Sequence, residues 1–145
     1  MLSRIKFAAL AVLVVGLFLY AGIAQAQEKS AKVLEKGEFH KADKAGSGTA
    51  TIYQLADGKR VLRLTNFSVD NGPDLHVRLI KADDAKNTAS VEKTDYVELG
   101  KLKGNKGSQN YEVPENVDLS KYKVVSIWCN RFSVNFAAAP LTAVK

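Results

Sequence analysis

The sequence predicts an all-β fold, an antiparallel β-sandwich of about eight strands preceded by an N-terminal signal helix. Three observations predict it. Segments of strand character recur along the chain, broken by turn residues, at the spacing of a sandwich or barrel. Asp57-Gly58, between two such segments, is a strong hairpin signal. Beyond the first segment, no stretch shows the apolar period of an amphipathic helix of useful length.

The chain has 145 residues, the size of one domain. It begins Met1-Leu2-Ser3-Arg4-Ile5-Lys6, with two cations, continues through an apolar run from Phe7 to Ile23, and reaches Ala24-Gln25-Ala26. A basic start, an apolar core and a small-x-small end make a secretory signal. Residues 1–26 are therefore expected to be a signal peptide, cleaved after Ala26. The alternative is an uncleaved anchor, because the apolar run is longer than the roughly 7–15 residues of a typical signal core. The expected location is secreted, periplasmic or otherwise extracytoplasmic. Membrane contact is expected only through the N-terminal segment, if that segment is retained. The polar residues 27–36 are expected to be a linker, and residues 37–145 the β domain.

Each strand is argued from alternation and its bounding turns. Gly48 to Leu55 alternates small or apolar with polar groups and pairs across Asp57-Gly58 with Arg60 to Phe67. Asp70-Asn71-Gly72-Pro73-Asp74 breaks the chain, and Leu75 to Ile80 follows. Leu75, Val77 and Leu79 are expected to face the core, with His76 and Arg78 on a solvated outer surface. Residues 81–95 are polar and aperiodic, a long surface loop with a helical turn at most. Tyr96 to Leu102 and Ser108 to Val113 are expected strands around a turn at Lys103-Gly104-Asn105-Lys106-Gly107, a small basic hairpin. The last pair is Tyr122 to Cys129 and Phe132 to Ala137. The first of these is apolar on both faces, which marks a central strand. In the second, Phe132, Val134 and Phe136 are expected to be buried and Ser133 and Asn135 exposed.

Composition excludes several function classes. Loss of Arg4 and Lys6 with the signal would bring the formal charge from +6 to about +4, which ordinary solubility explains. An export signal also argues against nucleic acid as a partner. No Gly-x-Ser-x-Gly elbow, His-Glu-x-x-His pair or phosphate-loop glycine motif occurs. The Asp70–Asp74 loop offers too few oxygens for calcium, which takes about 6–8. One cysteine, Cys129, rules out an internal disulfide.

Several segments together resemble the DM13 family. They are Gly72-Pro73-Asp74-Leu75, then Leu99-Gly100-x-Leu102-Lys103-Gly104-Asn105-x-Gly107 with Gln109 and Tyr111, then Ile127-Trp128-Cys129 with Phe132, Val134, Phe136 and Ala138. The resemblance covers roughly residues 37–141. It implies a β-rich extracellular or envelope module engaged in electron transfer or oxidative modification of surface proteins, with an envelope or extracellular protein as partner. Its characteristic cysteine matches Cys129.

Four readings of Cys129 stand open at this stage, one of them an intermolecular disulfide. Free cysteine is among the most buried residues and serves as a small hydrophobe. A rim thiol, with Arg131 two residues on as a thiolate-stabilising cation, would be a redox group. A thiolate can also hold haem iron or copper, with Trp128 beside it as a screen for a cofactor. His40 and His76 are the chain's only histidines. Neither follows the cysteine as a copper loop requires, and no Cys-x-x-Cys-His occurs for covalent haem. The leading expectation is an exported redox-linked module using Cys129. The alternative is a non-catalytic binding or scaffold sandwich in which Cys129 is packed.

Overall fold

The computed structural model describes residues 31–145. The expected signal, residues 1–26, and the start of the expected linker lie outside the described residues. Ten strands follow in chain order: β1 (Lys32–Glu38), β2 (His40–Lys41), β3 (Gly46–Gln54), β4 (Arg60–Val69), β5 (Leu75–Ile80), β6 (Tyr96–Lys101), β7 (Gln109–Val113), β8 (Val124–Cys129), β9 (Val134–Pro140) and β10 (Thr142–Ala143). They form two antiparallel five-stranded sheets, β10-β1-β3-β4-β7 and β2-β9-β8-β5-β6. Among the described residues there is no helix. The expected sandwich is therefore present, with two very short edge strands beyond the expected eight.

The β3–β4 hairpin closes where the sequence places it. Gly58 takes φ 87°, Leu55 N donates to Lys59 O at 2.8 Å, and Asp57 Oδ1 accepts from Lys59 N at 3.0 Å. The strands beyond carry one apolar face each: Ala50 and Ile52 on β3, Leu62 and Leu64 on β4, all fully buried. They pack against Leu75, Val77 and Leu79 of β5 and Val125, Ile127 and Cys129 of β8 in one core. β8 lies between β5 and β9, and all six of its residues are buried, as its two-sided apolar pattern requires.

Several expectations need correction. β1 begins at Lys32 and pairs with β3 and β10, so residues 32–36 are sheet and not linker. Their polar character belongs to a strand with one solvated face. The turn at 103–107 does not close a hairpin: β6 lies in the second sheet and β7 in the first, so this segment crosses between layers. Two strands in tandem with a glycine turn read alike in sequence whether they pair or part. Phe132 is 60% exposed, whereas Asn135 is fully buried. The turn occupies residues 130–133, with Ser133 at φ 52°, and a register shift between Ile127 and Trp128 resets the alternation of β9.

Candidate functional site: Cys129 and the outer face behind it

Cys129 is the last residue of β8, with Leu75 of β5 opposite on one side and Val134 of β9 on the other. Its side chain faces the first sheet and has 0% exposure. The expected solvent-accessible rim thiol is therefore not found. β8 is central and the opposing sheet covers the face that Cys129 shares with Val125 and Ile127. Arg131 lies in the exposed turn. Its side chain makes no hydrogen bond or ion pair among the described residues, so the expected thiolate-stabilising contact is not formed. Trp128 points to the opposite face, where it packs with Ile80, Ala85, Val91, Val124 and Ala138. It screens that face rather than the sulfur.

The surroundings of Cys129 do not suit a haem or metal ligand. The cavities at Lys81–Lys123, Ala45–Asp70 and Gly72–Asn105 are lined by other residues. Among the described residues no three His, Cys, Asp or Glu side chains come together as a metal set. A haem also needs open volume beside its ligand, and Cys129 is embedded in the packed core.

The chemistry-bearing side chains gather on the outer face of the second sheet. The Arg78 guanidinium carbon lies 3.8 Å from the ring centroid of Tyr96 and 4.8 Å from that of Trp128, a cation between two aromatic faces. Its Nη2 donates to Asn130 Oδ1 at 2.8 Å. Its Nε is buried without a hydrogen bond, 3.8 Å from Glu98 Oε2. Beside it, His76 Nδ1 meets Glu98 Oε1 at 2.5 Å and Nε2 meets Asp74 Oδ1 at 2.9 Å. An imidazolium, with two N–H donors, satisfies both carboxylates at once.

His76 and Arg78 point away from the core as expected, yet their side chains are only 13% and 12% exposed. The solvated surface expected for them is instead a built polar cluster. Its signal was hidden because Trp128 and Glu98 flank β5 from β8 and β6, and that strand order is not written in β5 itself. The usable hint was the placement of His76 and Arg78 on one face of the same strand.

A family model described as electron transfer DM13 matches residues 38–141. The chain belongs to the DM13 family. No curated protein and no solved structure matches it. The segments that carry the DM13 resemblance have clear structural work. Gly72 leads into β5 where a Cβ would lie 2.7 Å from Leu75 Cδ2 and 3.0 Å from the Phe136 ring. In the crossover, Tyr111 Oη accepts from Lys103 N at 2.9 Å and donates to Gln109 Oε1 at 2.5 Å. Gln109 Nε2 donates to Gly104 O at 2.9 Å. Burial pushes the Tyr111 hydroxyl pKa upward, partly offset by the Lys103 amide, which keeps it a neutral donor. The Gly72–Leu75 and Lys101–Asn105 segments of the DM13 domain face one another across a cavity of about 210 Å³.

Proposed function

We propose that this DM13 domain is an exported, non-catalytic module of an electron-transfer system, with Cys129 a packed core residue and the Arg78 face its contact surface for a protein partner. The family supports the link to electron transfer. The observation that carries the rest is the complete burial of Cys129. Thiol chemistry needs thiolate and access together, and a sulfur inside a close-packed core has no access. The face built from His76, Arg78, Tyr96 and Glu98, with the buried Trp128 ring packed beneath Arg78, presents Tyr and Arg, two of the residue types that dominate binding hot spots. Tyr96 stands half exposed over Arg78, so it meets a partner first. The partner is an envelope or extracellular protein, reached after export through the N-terminal signal.

A second reading keeps Cys129 as the electron-handling group. It is favoured by the position of Cys129 one residue from the exposed turn 130–133, so that local fraying of the hairpin end uncovers the sulfur. Titration of the native chain with a thiol reagent, with a visible spectrum, separates the two. A thiol that reacts only on denaturation, in a colourless protein, supports the packed reading. Rapid native reaction or a visible chromophore overturns it. Mass analysis of the exported chain reads the signal directly: a first residue at Gln27 is expected.

A further inference from the structure

The segment joining β5 to β6, residues 81–95, is an Ω-shaped loop, closed by Lys81 N donating to Asp95 O at 2.9 Å. It folds back over the outer face of the second sheet, where Ala85 and Val91 complete the apolar cluster around Trp128. Two small buried side chains give little hydrophobic hold, and polar ties supply the remainder. Asn135 of β9 donates from Nδ2 to Ala85 O at 3.2 Å and to Asn87 O at 3.4 Å. Its backbone N donates to Thr88 Oγ1 at 2.9 Å, and Thr88 is bound in turn to the Asp43 carboxylate. Lys123 meets Asp83 at 2.5 Å.

The remaining tie is of a different kind. His40 of β2 meets Asp84 Oδ1 through Nε2 at 2.6 Å, and its Nδ1 faces the Lys41 carbonyl at 2.7 Å. Both partners are acceptors. A neutral imidazole has one N–H, so it satisfies one contact and turns a lone pair on the other; the imidazolium satisfies both. We propose that residues 81–95 form a strap over Trp128, latched to β2 by the protonated His40 ring and loosened when that ring loses its proton.

The electrostatics agree in sign. Burial pushes the His40 pKa down, but the hydrogen bonds to the Lys41 carbonyl and the Asp84 carboxylate outweigh it and leave it above 6.5. On Asp84, burial pushes the pKa up and the bond to His40 prevails in lowering it. The charged groups acting on the ring are Asp84 and Lys86 from the strap; Lys86 opposes the proton, and Lys41 meets the ring through its backbone carbonyl. The β9 residues opposite β2, Ala137 and Ala138, carry no charge. A histidine raised in the folded state stabilises fully below its unfolded pKa, and that contribution is lost as pH rises through the folded value.

Trp128 is the chain's one tryptophan, so acrylamide quenching of its fluorescence reads the strap in the full-length protein. The lifetime-normalised quenching constant is expected to rise roughly two- to fivefold, the scale of a part-exposed ion pair, between about pH 5.5 and about pH 8.5. H40Q is expected to show the raised constant at both pH values with no step. D84N, which keeps the shape and removes the charge, is expected to lose the step likewise, so the test survives if H40Q does not fold. A wild-type constant that is flat with pH overturns the proposal. A step of the same size in a folded H40Q or D84N variant also overturns it, because the step then does not come from the His40–Asp84 pair.

Discussion

At the scale of single residues, the buried side chains of Glu35 and Cys129 have opposite consequences. Glu35 is buried on β1 with Oε2 lacking any hydrogen bond. Burial pushes its carboxyl pKa up, and the attraction of Arg60 and Lys123 only partly offsets this. The folded state therefore holds the proton at pH values where the unfolded chain has released it, and stability falls as pH rises through that window. Glu35→Gln is expected to stabilise the protein by about 1 kcal/mol at neutral pH, with the gain vanishing in acid where the native carboxyl is already protonated. Urea melts at both pH values measure this. Cys129, by contrast, fits its site. Cys129→Ala is expected to cost about 1–2 kcal/mol through lost packing. Cys129→Ser is expected to cost more, because its hydroxyl enters the same apolar site without a partner. A Ser variant as stable as wild type would mean that the sulfur sits against water or a polar group.

At the scale of elements, backbone geometry decides where the strands bend. The β3–β4 register shifts between Ser47 and Thr49, where Gly48 takes φ 107°. A Cβ there would lie 2.8 Å from three backbone atoms of Thr65, Asn66 and Phe67. At Gly58, also at positive φ, a Cβ would meet nothing. Gly58→Ala is expected to cost about 1 kcal/mol, the left-handed backbone alone. Gly48→Ala is expected to cost about 3 kcal/mol or more, since backbone must move as well. Thermal melts of the pair separate the two terms. The same bulges mark what was legible in the sequence. Leu75–Ile80 is read to the residue, and β3, β4 and β8 within a few, because their alternation or apolar runs stand between turn residues. β9 is misread in part, because the four-residue turn and the shift at Trp128 swap the faces of Phe132 and Asn135. β1 hides behind its lysines and glutamates, since an edge-proximal strand with a wet face carries little apolar pattern.

At the scale of the whole molecule, the sandwich explains why a residue that looks peripheral in sequence becomes central in space. Cys129 stands next to a turn, which suggests a rim. The order β9-β8-β5 places it between two strands and beneath a second sheet. Strand order is set by pairing across the chain, and no local window contains it. The outer-face cluster was hidden for the same reason: Asp74, His76, Arg78, Tyr96, Glu98 and Trp128 come from three strands and a loop that meet only after the fold forms. What survives from sequence to structure is the family, the sandwich and the outward direction of His76 and Arg78. What changes is the chemistry assigned to each face: the inner face packs the thiol away, and the outer face collects the charges and aromatic rings.

The central claim is that the Cys129 sulfur is out of reach in the native protein. Its reaction with a disulfide reagent, followed in native buffer and again in denaturant, tests that most directly. One thiol per chain appearing only in denaturant is the predicted result; a full equivalent reacting at once in native buffer would contradict it.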